Sequence, residues 1–197
     1  VNQEKMNSKS AHDFIWIVFN FFFVITLFLS FLIFFFTEQV ISILAPGFLL
    51  NKSQFLLANQ LLIITFPFLI FVTLSSVLSS VLNVKGKFFL PSFLSVILNI
   101  FMIVTLVSFK SNSHFPLAWS MILAGSIQLI LLFINLGTIK IFWGIGLKSI
   151  KVLSRELKKF FGRFLYSLLG SGIVQLNIFI SMLFASLVGG GAISQIY

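Results

Sequence analysis

Among the carboxamides inside stretches of this chain that carry no Asp, Glu, Lys or Arg, Asn99, Gln128, Gln175 and Asn177 stand near the middle of their stretches. Two lysines, Lys85 and Lys87, flank a glycine between two of those stretches. An amide both donates and accepts hydrogen bonds without net charge. In an apolar medium it can tie one helix to another or offer a polar path to a solute. It does not supply a nucleophile or a titrating acid. The four acids (Glu4, Asp13, Glu38, Glu156) and the two histidines (His12, His114) lie in the polar connections, and there is no cysteine. No paired carboxylates, nucleophile–base pair, metal-ligand cluster or phosphate-cradling glycine loop can be assembled from them. An enzyme is therefore not expected, and neither a metal nor any other cofactor.

The elements that must position these amides follow from composition. The 197 residues are 59% hydrophobic and 9% charged, against roughly a quarter charged in soluble domains. Five stretches lack acidic and basic residues for the twenty or so positions that a bilayer requires: 14–36, 55–84, 88–109, 111–139 and 164–197. The expected fold is an all-α polytopic membrane protein with five transmembrane helices and one amphipathic interfacial helix.

The net charge of +9 would point to nucleic acid in a soluble protein, but here its distribution matters more. Residues 1–13 hold two lysines, 84–87 two, and 140–163 seven Lys or Arg, eleven in alternate connections. The intervening connections, 37–54 and 110–116, hold one each. Positive charge in short loops stays cytoplasmic, so the N-terminus is expected inside and the C-terminus of this chain outside. No nucleic-acid partner is expected. The first apolar run is too long for a signal peptide and no small-residue cleavage site follows it.

Along the chain, the first helix is expected from Phe14 to about Leu44, with Trp16 in the headgroup region and Pro46-Gly47 ending it. Glu38 falls near the outer interface. The second, residues 55–83, would run about 43 Å against a hydrocarbon core of about 30 Å. Pro67 removes the hydrogen bond to the carbonyl of Ile63 and so supplies a kink. Ser75, Ser76, Ser79 and Ser80 form a small-residue patch, read either as close helix contact or as a polar stripe facing a cavity. The four residues 84–87 force the next helix, 88–109, to be an antiparallel neighbour. Asn99 is its twelfth residue, near the midplane. The fourth helix starts at Pro116, has Trp119 at its outer interface, and carries Gln128 midway. Trp143 marks the inner interface.

Residues 147–163 differ in kind. Lys148, Lys151, Arg155, Lys158 and Lys159 recur on one helical face, with Ile150, Leu153, Leu157, Phe160, Phe161 and Phe164 on the other. That pattern predicts a helix lying in the interface with its cations toward anionic phospholipids. The last helix, residues 164–188, holds Gln175 and Asn177 on nearly opposite faces, so one can pack while the other lines a cavity. Gly189-Gly190-Gly191 ends it.

A family resemblance joins these segments. Thr65-Phe66-Pro67, Leu82-Asn83, Lys87-Phe88, Pro91 and Leu98-Asn99 resemble the fourth and fifth helices of the MurJ (MviN) family of lipid II flippases. Leu44-Ala45-Pro46-Gly47-Phe48 resembles the segment after that family's third helix. Phe184-Ala185-Ser186 and Ile196-Tyr197 resemble its seventh. The resemblance implies a MOP-superfamily exporter of two lobes. Residues 1–139 would be the later part of the N-terminal lobe, 140–163 a cytoplasmic amphipathic linker, and 164–197 the first helix of the C-terminal lobe.

The function so implied is movement of lipid-linked peptidoglycan precursor (lipid II) across the bacterial inner membrane by alternating access. Lys85, Lys87, Asn99, Gln128, Gln175 and Asn177 are then candidate substrate-path residues, and Pro67 and Pro91 candidate kinks or hinges. Lys85 and Lys87 read first as topology signals and second as attractors of the pyrophosphate. The arginines that engage pyrophosphate in the family belong mostly to its first, second and eighth helices. Ser181 stands where many relatives carry an acid implicated in cation binding, so no metal ligand is expected. The chain opens on Val1 and stops in an apolar segment, which is expected of a piece of a longer transporter or of a broken gene. Another MOP-superfamily polysaccharide-lipid exporter and an inactive membrane remnant are the alternatives.

Overall fold

Proline, glycine and the apolar runs between them decide where the helices stop. A computed structural model describes residues 2–109, 114–137 and 154–188. Its elements are α1 (Asn2–Phe35), α2 (Thr37–Leu44), a 3₁₀ segment (Pro46–Leu50), α3 (Lys52–Thr65), α4 (Phe68–Val84), α5 (Phe89–Ser108), α6 (Phe115–Leu136) and α7 (Ser154–Val188), with no strand among the described residues. Among the described residues, five spans are long and apolar enough to cross a membrane: Ala11–Phe35, Lys52–Val84, Phe89–Ser108, Phe115–Leu136 and Ser154–Leu187. The chain is an all-α polytopic membrane protein.

Three breaks need explaining. The first helix does not run unbroken to Leu44: it bends at Phe36, whose amide donates to the Ile33 carbonyl at 3.2 Å, and α2 starts afresh at Thr37. Neither proline nor glycine stands there, so the sequence carries no sign of it. The second break falls at Phe66-Pro67, between α3 and α4, where the ring removes an amide donor. Leu69 and Ile70 donate instead to the Phe66 and Pro67 carbonyls, at 3.0 and 3.1 Å. The third is the turn after α4. Lys87 N–H reaches the Leu82 carbonyl at 2.9 Å and Gly86 N–H the Asn83 carbonyl at 3.0 Å, with Gly86 at φ +73°. That is a Schellman turn, and it needs a residue that adopts the left-handed region freely.

The contacts divide the chain into two units, neither continuous in sequence: residues 1–32 with 64–153, and 33–63 with 154–197. In the first, α6 lies against both α4 and α5. Trp16, Phe19, Leu74, Leu78, Leu82 and Leu132 form its core, with Phe133 and Leu94 among the side chains against it. Trp16 is 2% exposed, stacks on Phe133 at 6.3 Å, and donates its indole N–H to His12 Nε2 at 3.2 Å. Trp16 is thus a core residue of this unit, with Phe133 against its ring and His12 accepting from its donor.

In the second unit, α2 and the 3₁₀ segment lie against α7. Asn51 caps α3, its Oδ1 accepting from the Ser53 and Gln54 amides at 3.1 and 3.4 Å. The interfacial helix expected over 147–163 is described only from residue 154, and there it is the beginning of α7 itself. Gly162 is the nearest helix breaker and leaves the helix continuous, since nothing in the run 154–188 removes a backbone donor. At 35 residues α7 would be about 52 Å long, more than a bilayer core of about 30 Å. Its cationic residues Arg155, Lys158, Lys159 and Arg163 are all exposed in its first ten positions.

Candidate functional site

The candidate path residues fall in different places. Lys85 and Lys87 are exposed on the Schellman turn between α4 and α5. The turn's backbone bonds hold both lysines at the same end of the first unit. Pro91 is the third residue of α5, and the helix runs through it, since first-turn amides lack intrahelical partners in any case. Pro67 lies at the break already described.

Gln128 is buried, 5% exposed on α6, and donates through Nε2 to the Leu94 carbonyl of α5 at 2.6 Å. An amide in the apolar interior of a bundle must find such a partner, and here it ties two helices. Asn99, five residues beyond Leu94, is exposed on α5. Sequence periodicity treats Asn99 and Gln128 as the same isolated-amide pattern, yet one is tucked between helices and the other is on the outside of the unit. Gln175 and Asn177 are both exposed on α7, in the second unit, as is the hydroxyl-bearing Ser171.

The serine patch on α4 separates in the same way. Ser76 and Ser80 are exposed, and their hydroxyls donate to the Val72 and Ser76 carbonyls at 2.9 Å each. Ser75 is 3% exposed, and its buried oxygen, like that of Ser79, has no hydrogen-bond partner among the described residues. Where α6 approaches α4, the tight point is Gly125. A Cβ placed there would come within 2.9 Å of the Phe68 ring and 3.0 Å of Phe71 Cβ. This contact escapes the sequence because Gly125 sits in an ordinary Ala-Gly-Ser run.

A second tight point lies in the other unit. Gly47, on the 3₁₀ segment, donates its amide to Ser186 Oγ on α7 at 3.2 Å, across 139 residues of sequence. Ser186 in turn donates to the Leu183 carbonyl at 2.7 Å. The segments 44–48 and 184–186, known from the sequence only as separate motifs, therefore meet. Their signal was small residues at both places, Ala45-Pro46-Gly47 and Ala185-Ser186, and sequence alone gave no reason to pair them. Among the described residues no group of three His, Asp or Glu side chains could hold a metal ion.

The profile of a known family, described as "Lipid II flippase MurJ", matches residues 1–197. The chain is similar to a "Probable lipid II flippase MurJ" of Buchnera aphidicola subsp. Schizaphis graminum, 39% identical over 169 residues, covering 82% of this chain and 32% of that protein. It is similar to a protein of the same description from Buchnera aphidicola subsp. Acyrthosiphon pisum, 36% identical over 199 residues, covering 97% of this chain and 37% of that protein. A third such relative, from Aquifex aeolicus, is 34% identical over 164 residues, with 82% of this chain and 32% of that protein covered. The chain thus spans about a third of the length of these relatives.

Proposed function

The chain belongs to the MurJ family of lipid II flippases, a multi-pass bacterial inner-membrane family, and on that premise we propose that it forms part of a machine moving lipid II between leaflets by alternating access. The observation that carries this is the match along all 197 residues. In this reading residues 1–139 belong to the N-terminal lobe, 140–163 link the lobes, and 164–197 open the C-terminal lobe. Pro67 acts as a hinge, since its break interrupts what would otherwise be one span. Pro91 is the weaker hinge, lying where the helix is continuous.

Charge chemistry limits what this stretch does by itself. A pyrophosphate carries multiple negative charge and is costly to bring into a low-dielectric cavity without fixed cations. Every Lys and Arg lies outside the five charge-free stretches, and Gln128 has its Nε2 engaged by Leu94. Lys85 and Lys87 are free to attract the headgroup at the cytoplasmic mouth, while Asn99, Gln175 and Asn177 offer exposed amides along the path. The expected outcome is that this chain, expressed in a bacterium depleted of its own flippase, restores neither growth nor outer-leaflet lipid II. Joined to the segments that complete its relatives' length, it restores both. Rescue by the chain alone would overturn the argument from missing cations.

The eleven-to-two charge split further assigns residues 1–13, 84–87 and 140–163 to the cytoplasm. Because cysteine is absent, single cysteines at Ser10, Ser111 and Ser149 report topology cleanly. Ser111→Cys is expected to react with an impermeant maleimide from outside, and the other two only after permeabilisation. Labelling at position 149 in intact cells would reverse the orientation.

The exposed cations at the start of α7 are proposed to hold anionic phospholipids at that same face. A peptide of residues 147–163 should bind anionic vesicles, more weakly as salt rises. Equal binding to neutral vesicles would leave the basic face without an electrostatic role.

A further inference from the structure

Gly47 and Ser186 make a contact with an unusual combination of constraints. The Gly47 amide is available because it lies at the start of the 3₁₀ segment, where no preceding turn claims it. Its acceptor is a hydroxyl that must donate at the same time, to Leu183. Ser and Thr hydroxyls can do both at once, which an alanine or a carbonyl cannot. The approach is close at backbone level too: any side chain at position 47 would run onto the Ser186 carbonyl. Ala45, Gly47, Ala185 and Ser186 are all buried, while Leu49, Leu50, Phe184 and Leu187 beside them are exposed. The joint is small, polar at its centre and narrow.

At its centre such a joint holds by the fit of small residues and one relayed hydrogen bond. It can therefore part at low cost and re-form in one register. The charge split places both partners, the 37–54 connection and the far end of α7, on the outer side. We propose that the 3₁₀ segment and the end of α7 form a latch, closed here, that parts and recloses as the outer side opens. The role assigned to that opening rests on the flippase reading above; the latch itself rests on the Gly47–Ser186 geometry.

The test uses the full chain in vesicles opened to reagent on both faces, so that orientation does not enter. Ala185, 3% exposed beside the joint, is replaced by cysteine as the one thiol in the protein. Its maleimide labelling is followed in the otherwise native chain, with Ser186→Ala, and with Gly47→Ala. The native latch should label slowly but completely, at least tenfold below the denatured chain. Ser186→Ala, which removes only the relay, should label roughly three- to tenfold faster than native, the loss of one buried hydrogen bond. Gly47→Ala should label faster still. Should Gly47→Ala fail to fold, Ser186→Ala decides alone.

Equal rates for native and Ser186→Ala would overturn the latch, as would native labelling at the denatured rate. A native thiol that never labels would mean a permanent brace and would overturn the moving part. The flippase reading fails separately: a completed chain that moves no lipid II while the labelling order holds leaves the latch and removes the transport role.

Discussion

α6 and α7 are both apolar, both long enough to span a bilayer, and both carry amides and glycines, yet they are used in opposite ways. A third of the apolar window of α6 is buried (33%), against 6% for α7. Between helices in lipid there is no general hydrophobic drive, because the tails are as apolar as leucine, so contact depends on fit and on hydrogen bonds. α6 has both. Gly125 lets the Phe68 ring and Phe71 Cβ of α4 come close, and Gln128 donates to the Leu94 carbonyl of α5. Along the middle of α7 neither device is engaged. A Cβ at Gly162, Gly170 or Gly172 would meet nothing within 4 Å among the described residues, and Gln175 and Asn177 are exposed. Composition makes a membrane helix; which side it buries depends on a few small or polar residues being placed opposite a partner.

Substituting glycines breaks this comparison most sharply. Gly125→Val should destabilise the fold by about 2–3 kcal/mol, because it forces side chains into the wall formed by Phe68 and Phe71. Gly170→Ala should instead be neutral or stabilise by up to about 1 kcal/mol, since it fills open space and improves helix propensity. Thermal unfolding in detergent, followed by helical circular dichroism, measures both. Equal losses would mean that α6 is not held by close approach.

A smaller effect is expected from the amides. Gln128→Leu removes one buried bond and leaves the Leu94 carbonyl with its intrahelical partner only, so about 1 kcal/mol should be lost. Gln175→Leu, at an exposed site, should change stability by less than about 0.5 kcal/mol. In the completed transporter the order should invert for activity, with Gln175→Leu lowering lipid II movement while Gln128→Leu is corrected by lowering the temperature. A Gln175→Leu protein of full activity would remove that residue from the path.

Five spans were legible without coordinates, because membrane insertion is decided by uninterrupted apolar length and by where charges lie. Pro67 and the Val84-Lys85-Gly86-Lys87 turn were legible for the same local reason: a missing amide and a residue tolerant of positive φ act within one helical turn. Tertiary structure alone decided that Gln128 is a tie and Asn99 is not, that Trp16 is a core residue, that the first helix bends at Phe36, and that Gly47 meets Ser186. In each case the deciding group lies elsewhere in the chain or, at Phe36, leaves no mark on the local sequence. A sequence records which side chains could pair, and only the assembled helices bring one particular partner within hydrogen-bond reach.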